Sequence, residues 1–208
     1  MKRRTLDLAF SVGGLLFGGL ILVLGLVLQN QSNFASTYVK EQFGQQKIEF
    51  TAVDYLHGEQ DDAPCLVEFA GTLLDSGKKA ECYANEYIAF HLASGATEAG
   101  YEGATYATIG GIQRGIGAEI QAAKDAGKDT TELDASLTSV NTRRETMFKG
   151  ETLRGLLLTT YGFSIFGERA ALAATICFIA AALLVILSLA GLIHFKMTPV
   201  DKVVGLGH

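Results

Sequence analysis

The side chains that could do chemistry in this chain are few, and the densest group is the acidic stretch from His57 to Asp62. Carboxylates clustered over six residues could bind a hard cation, because calcium and magnesium prefer oxygen ligands. The stretch lacks the ligand spacing of a calcium loop, and most acidic turns of this kind are simply solvated. We therefore expect no metal site here.

A second candidate is His91, which lies four residues after Tyr87 and would share a helix face with it. No second histidine lies within helical reach, so a transition-metal site is not expected. The glycine-rich run from Gly110 to Gly117 resembles a phosphate-binding loop, but no strand leads into it and no Gly-Lys-Ser/Thr follows. Close helix packing explains it better. The sequence thus predicts no catalytic residue, no cofactor and no enzymatic activity.

The elements that must position any site include two long uncharged stretches, residues 8–28 and 170–195. A membrane-spanning helix needs about 20 apolar residues, so both stretches qualify. The first could alternatively be a cleaved signal peptide, because Lys2, Arg3 and Arg4 precede it. It is longer than a signal-peptide core and no good cleavage site follows, which favours an uncleaved anchor.

Basic residues flank both stretches on their outer sides, which predicts that the tails, residues 1–7 and 196–208, are cytoplasmic. Residues 29–169 would then form an extracytoplasmic domain in the cell membrane. This middle region carries 12 basic and 20 acidic residues, which argues against a nucleic-acid partner. Neither apolar stretch has a charged residue in its interior, and this disfavours a transporter or pump.

The cysteines agree with this topology. Cys65 and Cys82 are 17 residues apart in the middle region, and thiols outside the cytoplasm tend to pair. We predict a disulfide between them, with two buried free thiols as the alternative. Cys177 lies in the second apolar stretch, where a small packing residue is the expected role.

The first apolar stretch has glycines at helical spacing. Gly14, Gly18 and Gly25 would lie on one helix face, where small residues let two backbones approach closely in lipid. We predict that this face packs against either the second stretch or a helix of another protein.

The middle region is predicted to be mostly α-helical with at most one short strand. The helix of the first stretch should continue to Gly44, and residues 47–53 alternate like a short strand or extended segment. Two short helices follow, at 63–74 and 79–92. Residues 109–148 indicate a helical hairpin that turns at 125–129, with Thr130 or Thr131 as the helix cap.

Residues 155–168 form an apolar run that is too short to span a membrane. Such runs are typical of interfacial, re-entrant or buried segments. We predict an interfacial or partner-docking segment, and a plain extension of the second stretch is the alternative. The docking residues would be large and apolar or aromatic: Leu156, Leu157, Tyr161, Phe163 and Phe166.

Three segments carry a resemblance to a known family: residues 1–7, residues 80–88, and residues 144–158 with the Tyr-Gly-Phe-Ser that begins at Tyr161. With these the chain resembles a family of actinobacterial two-pass membrane proteins. The resemblance implies a Gram-positive, high-GC source and a cell-membrane location. Some members are labelled aromatic ring-opening dioxygenases, which implies non-haem iron held by two histidines and a carboxylate. The sequence shows no such constellation.

Three hypotheses of function follow. The leading one is a non-enzymatic accessory or structural subunit that packs with other integral membrane subunits in the bilayer, with a respiratory-chain assembly as one candidate host. The second is a homo-oligomeric channel or mechanosensor whose pore is lined by the glycine face. The third is an envelope-sensing or ligand-binding ectodomain, although the short tails carry no signalling module.

Overall fold

The computed structural model describes residues 2–56 and 63–199, so the acidic stretch from His57 to Asp62 lies outside the described residues. The chain forms two compact units. One is Tyr38–Ser164, here called the helical domain, and the other, here called the two-helix unit, combines the chain up to Thr37 with the chain from Ile165 onward. In chain order the α-helices are α1 (Arg3–Gln46), α2 (Pro64–Phe69), α3 (Gly77–Cys82), α4 (Ala89–Glu98), α5 (Tyr106–Asp125) and α6 (Thr131–Met197).

The predicted helical character and the two apolar segments are confirmed. Helices α1 and α6 are long and apolar enough to cross a membrane, and their most apolar 18-residue windows have mean hydropathies of 2.4 and 2.9. Only 17% and 11% of these windows are buried. Both helices therefore present most of their apolar side chains outward.

In the two-helix unit, α1 and α6 pack antiparallel through small residues in a constant register. Gly14 lies against Ser188, Gly18 against Leu184, and Gly25 against Cys177 and Phe178. Each step along α1 is matched by an equal step back along α6. The glycine face thus contacts the second apolar segment of the same chain.

The same register extends to both ends of the unit. Gly167 lies against Ala35, and a Cβ on Gly167 would come within 2.8 Å of the Ala35 Cβ. At the other end His194 Nδ1 lies 3.0 Å from Asp7 Oδ2, and the Arg4 guanidinium sits 4.5 Å from the centre of the Phe195 ring. At this second end, contacts of polar and charged side chains therefore join α1 to α6 beyond their apolar segments.

The segment after α1 is extended and forms no strand. Helix α1 continues to Gln46, two residues past Gly44, and ends where Lys47 adopts a φ of +52°. A single antiparallel bridge joins Glu49 to Leu73, supported by a hydrogen bond from Leu74 N to Ile48 O of 2.8 Å.

The two short helices differ in length from the prediction. Helix α2 ends at Phe69 and not near residue 74, because the chain turns at Gly71 with a φ of +66°. Helix α3, a π-helical turn at Tyr83–Ile88 and α4 follow one another without a break, so the second helix runs from Gly77 to Glu98. Ser76 caps its start by accepting a hydrogen bond from Lys79 N.

The predicted disulfide joins Cys65 on α2 to Cys82 at the end of α3, with the two Cα atoms 6.0 Å apart. Cys82 is buried in the main core of the helical domain. That core takes its side chains from α1, the extended segment, α2, α3, the π-helical turn and α6: Val39, Phe43, Phe50, Leu56, Ala63, Leu66, Leu74, Ala80, Cys82, Ala84, Ile88 and Leu157.

The helical hairpin is formed by α5 and the first part of α6. Thr105 and Thr108 cap the start of α5 reciprocally, and Gly127 makes the turn with a φ of +65°. Thr130, one of the two predicted cap residues, directly precedes α6, and its hydroxyl donates to Asp134 Oδ2 at 2.8 Å. Asp129 Oδ1 in turn accepts hydrogen bonds from the Thr131 backbone N–H and hydroxyl. These bonds lower the pKa of the Asp129 carboxyl.

Helix α6 is unbroken from Thr131 to Met197. The second hairpin helix, the apolar run at 155–168 and the second apolar stretch are therefore parts of one helix. The backbone corresponds to the alternative in which the apolar run extends the second stretch.

Removal of the disulfide tests its contribution to the helical domain. A loop of this length should contribute about 3 kcal/mol to the free energy of unfolding in the chain-entropy model. We expect the double variant Cys65→Ala/Cys82→Ala to melt at a lower temperature than the wild type. Circular dichroism of the full chain in detergent would measure both melting temperatures. A reducing agent should lower the midpoint of the wild type and leave the variant unchanged. An equal response of both proteins would contradict the prediction.

Two adjacent glycines provide a matched test of the helix pair. A Cβ on Gly18 would lie 3.3 Å from the Leu184 Cβ, whereas a Cβ on Gly19 meets nothing within 4 Å. We expect Gly18→Ile to destabilise the pair by about 1–3 kcal/mol through overpacking and Gly19→Ile to have little effect. Because Cys177 is the one free thiol, its labelling by a maleimide during heating reports the loss of packing. Equal shifts for both variants would refute the intramolecular packing of this face.

Candidate docking groove

The predicted docking residues do not share one environment. Leu157 is 2% exposed and belongs to the core of the helical domain, so it cannot dock a partner as predicted. Leu156 is 62% exposed and Phe163 is 39% exposed. Tyr161 is half-buried, and Phe166 is exposed but belongs to the two-helix unit.

Glycines lie where α3 and α4 pack closely against α6 in the helical domain. A Cβ on Gly77 would collide with Ser164 and approach the Tyr161 Cα to 3.4 Å, so α3 lies directly against α6. Farther back along α6, Gly150 accommodates the Leu92 side chain of α4. These contacts place α3 and α4 on one side of α6, and the described part of the chain leaves another side uncovered.

The uncovered side carries an apolar stripe at residues 153, 156, 160 and 163. The 3-4-3 spacing places these residues on one helix face, about a quarter turn from Leu157. Leu153, Leu156 and Phe163 are all exposed large hydrophobic residues, and Thr160 is partly exposed. This spacing is the one used when a helix packs against another helix.

Beside the stripe, the end of α1 and α6 enclose a groove of about 360 Å³, which we call the docking groove. The Tyr38 ring meets Phe163 edge to face, with ring centres 6.3 Å apart. Both apolar and polar side chains line it: Tyr38, Val39, Gln42, Phe43, Gln46, Thr159, Thr160 and Phe163. The groove can therefore accept an apolar side chain while the amides of Gln42 and Gln46 hydrogen-bond to neighbouring polar groups.

A ladder of rings lies along the helix that contains the π-helical turn. Tyr83 stacks on Tyr87 with ring centres 4.7 Å apart, and Tyr87 meets His91 edge to face at 4.5 Å. The helix face predicted for Tyr87 and His91 is thus present. Phe50 continues the ladder inward, 5.3 Å from Tyr83. Burial, and to a smaller extent the neighbouring Tyr87, raise the pKa of Tyr83.

None of these features assembles a metal centre in the part of the chain that the structure describes, where no three His, Cys, Asp or Glu side chains come together. The π-helical turn had no signal in the sequence, because its residues also suit an ordinary α-helix. Single π turns in helices are frequent at functional sites. No family model, curated protein or solved structure matches the chain.

The raised pKa of Tyr83 predicts a loss of stability at alkaline pH. The neutral phenol is favoured in the folded state, so the stabilisation is complete below the unfolded pKa of about 10 and falls as the pH rises through the folded pKa. We expect Tyr83→Phe to reduce the difference between the melting temperatures at pH 8 and at pH values above 10. An unchanged difference would show that the ionisation of Tyr83 is not linked to folding.

Proposed function

We propose that this chain is a two-pass cell-membrane protein that serves as a non-enzymatic accessory subunit of a larger membrane complex. In this proposal α1 and α6 cross the bilayer, both termini are cytoplasmic and residues 29–169 are extracytoplasmic. The docking groove and its apolar stripe receive a helix of a partner subunit. The observation that carries the proposal is the exposed stripe of Leu153, Leu156 and Phe163 beside a preformed groove.

The membrane location is supported by which side chains the two long helices expose. Phe10, Leu20, Ile186 and Ile193 are all at least 61% exposed, and in water such surfaces would associate. A core helix of a soluble protein would instead be mostly buried. The disulfide in the helical domain is consistent with an oxidising compartment outside the cytoplasm.

The partner surface must differ from the glycine face. Gly14, Gly18 and Gly25 already contact α6 of the same chain. This contact removes a reason to favour the channel hypothesis, in which the glycine face would line a pore. The apolar stripe of the helical domain remains as a surface with helix-packing spacing that no element among residues 2–56 and 63–199 covers.

The lining of the groove favours a protein partner over lipid. The side-chain amides of Gln42 and Gln46 offer donors and acceptors that acyl chains would leave unsatisfied. The Thr159 and Thr160 hydroxyls already donate to Gly155 O and Leu156 O. A partner helix could place an apolar side chain against Phe163 and satisfy the amides with its own polar groups. A respiratory-chain assembly is one candidate host, by analogy with its many small two-pass subunits.

Photocrosslinking in native membranes tests the proposal. We expect a benzophenone amino acid at Phe163 to yield a discrete crosslink to another membrane protein. The control position is Ser136, which is exposed on the same helix and roughly 40 Å away along it. The double variant Leu156→Glu/Phe163→Glu should reduce co-purification in mild detergent at least tenfold, because a charge in an apolar interface stays unpaired. Ser136→Glu should not.

Two results would reject the proposal. One is recovery of the wild-type chain only as a free monomer, with equal crosslinking from Phe163 and Ser136. The other is a crosslink solely between identical copies together with the native mass of a ring, which would establish the homo-oligomer instead.

A further inference from the structure

The helical hairpin contains a cavity of about 350 Å³ that is lined by side chains of α5 and α6. We call this cavity the arginine pocket. It lies wholly within the helical domain and shares no lining residue with the docking groove. Its walls combine one cation, one carboxylate, two amides and two aromatic rings: Arg144, Glu145, Gln113, Asn141, Tyr106 and Phe148.

Arg144 is held in a fixed orientation. Its Nη1 donates to Gln113 Oε1 at 3.0 Å and its Nη2 donates to the Tyr106 hydroxyl at 3.2 Å. The guanidinium also sits 4.8 Å from the centre of the Tyr106 ring, and Gln113 donates in turn to Asn141 Oδ1 at 2.6 Å. A charged group oriented in this way loses little further freedom when a ligand binds.

A second arginine, Arg114, does not line the cavity itself but lies near Arg144 over the same turn of α5. A Cβ on Gly110 would lie 3.5 Å from Arg144 Nη2 and 3.7 Å from Arg114 Nη1. The two nitrogens are therefore within about 7 Å of each other. A Cβ on Gly110 would be in ordinary van der Waals contact with both guanidinium groups, so both lie against the same point of α5.

Neither arginine has a carboxylate partner within 4 Å among residues 2–56 and 63–199. Glu145 is adjacent to Arg144 in sequence, but it pairs with Lys149 at 2.7 Å. That contact lowers the pKa of the Glu145 carboxyl. Two neighbouring cations without a counter-charge repel each other, and one of them is partly buried, so an anion at this point is favoured.

We propose that the arginine pocket binds a small organic carboxylate that carries an apolar group. The carboxylate oxygens accept from Arg144 and Arg114. The Tyr106 hydroxyl accepts from Arg144 and keeps its own proton, which it donates to the ligand. The apolar group lies on Phe148, which is 52% exposed and whose ring centre is 5.5 Å from that of Tyr106.

The charge of the pocket selects among anions. A carboxylate is planar, and its two oxygens match the guanidinium fork. It also has a single charge, which matters because Glu145 lines the same cavity and would repel a phosphate dianion. The ligand could be a free acid or the carboxyl end of a peptide, since both present the same group.

The test uses the full chain in detergent micelles and follows the arginine Nε–Hε signals by NMR. We expect benzoate to shift two signals saturably, and its neutral analogue benzamide to shift neither. N-acetylphenylalanine serves as the peptide-end probe, and whichever carboxylate binds more tightly identifies the source. Stronger binding of phenyl phosphate than of both carboxylates would overturn the assignment of the ligand class.

Matched variants locate the binding. Arg114→Gln should weaken benzoate binding at least tenfold. Arg114 is exposed, so this variant keeps the hairpin intact even if Arg144→Gln unfolds it. The control is Arg143→Gln, because the Arg143 guanidinium lies against Gly95, whereas those of Arg114 and Arg144 lie near Gly110. Equal affinity for benzamide and benzoate, or equal effects of Arg114→Gln and Arg143→Gln, would refute the pocket.

Discussion

The close antiparallel approach of α1 and α6 is the constraint on which the two-helix unit depends. Two apolar helices in a bilayer gain little from burying apolar surface, so their association relies on van der Waals contact between backbones. Small residues on both helices provide that contact: Gly14, Gly18 and Gly25 on α1, with Ala174, Ala181 and Ser188 buried on α6. The register of the pair then determines which residues meet at its ends, including Asp7 and His194.

The helical domain buries one face of α6 and leaves another face exposed. Leu157 enters the core and Gly150 admits Leu92, while Leu156 and Phe163, a quarter turn away, stay exposed. A helix can serve core and partner together only if its apolar residues occupy more than one face. Residues 153–166 satisfy this condition, because they are apolar around most of the helix.

Much of this was accessible from residue type and spacing. Local composition predicts the two apolar segments and the hairpin turn near Gly127. The pairing of Cys65 with Cys82 follows from the predicted location of both cysteines outside the cytoplasm. The missed features depend on partners distant in sequence. Leu157 was assigned to a docking surface because periodicity alone cannot say which face of an apolar helix meets the core. The arginine pocket has no signal in the sequence, because Arg114 and Arg144 are 30 residues apart and come together only when the hairpin closes.

The π-helical turn at Tyr83–Ile88 has a consequence for how this protein could change over evolution. A π turn holds about one residue more than an α-helical turn, so it behaves as an insertion that the helix has absorbed. Each residue gained or lost there would rotate everything that follows by about 100° about the helix axis. Leu92, which rests against Gly150, and Ala96, which is buried with Ile109 and Val140, both follow the turn. The phase of α4, and with it the contacts of Leu92 and Ala96, is therefore set by a single extra residue.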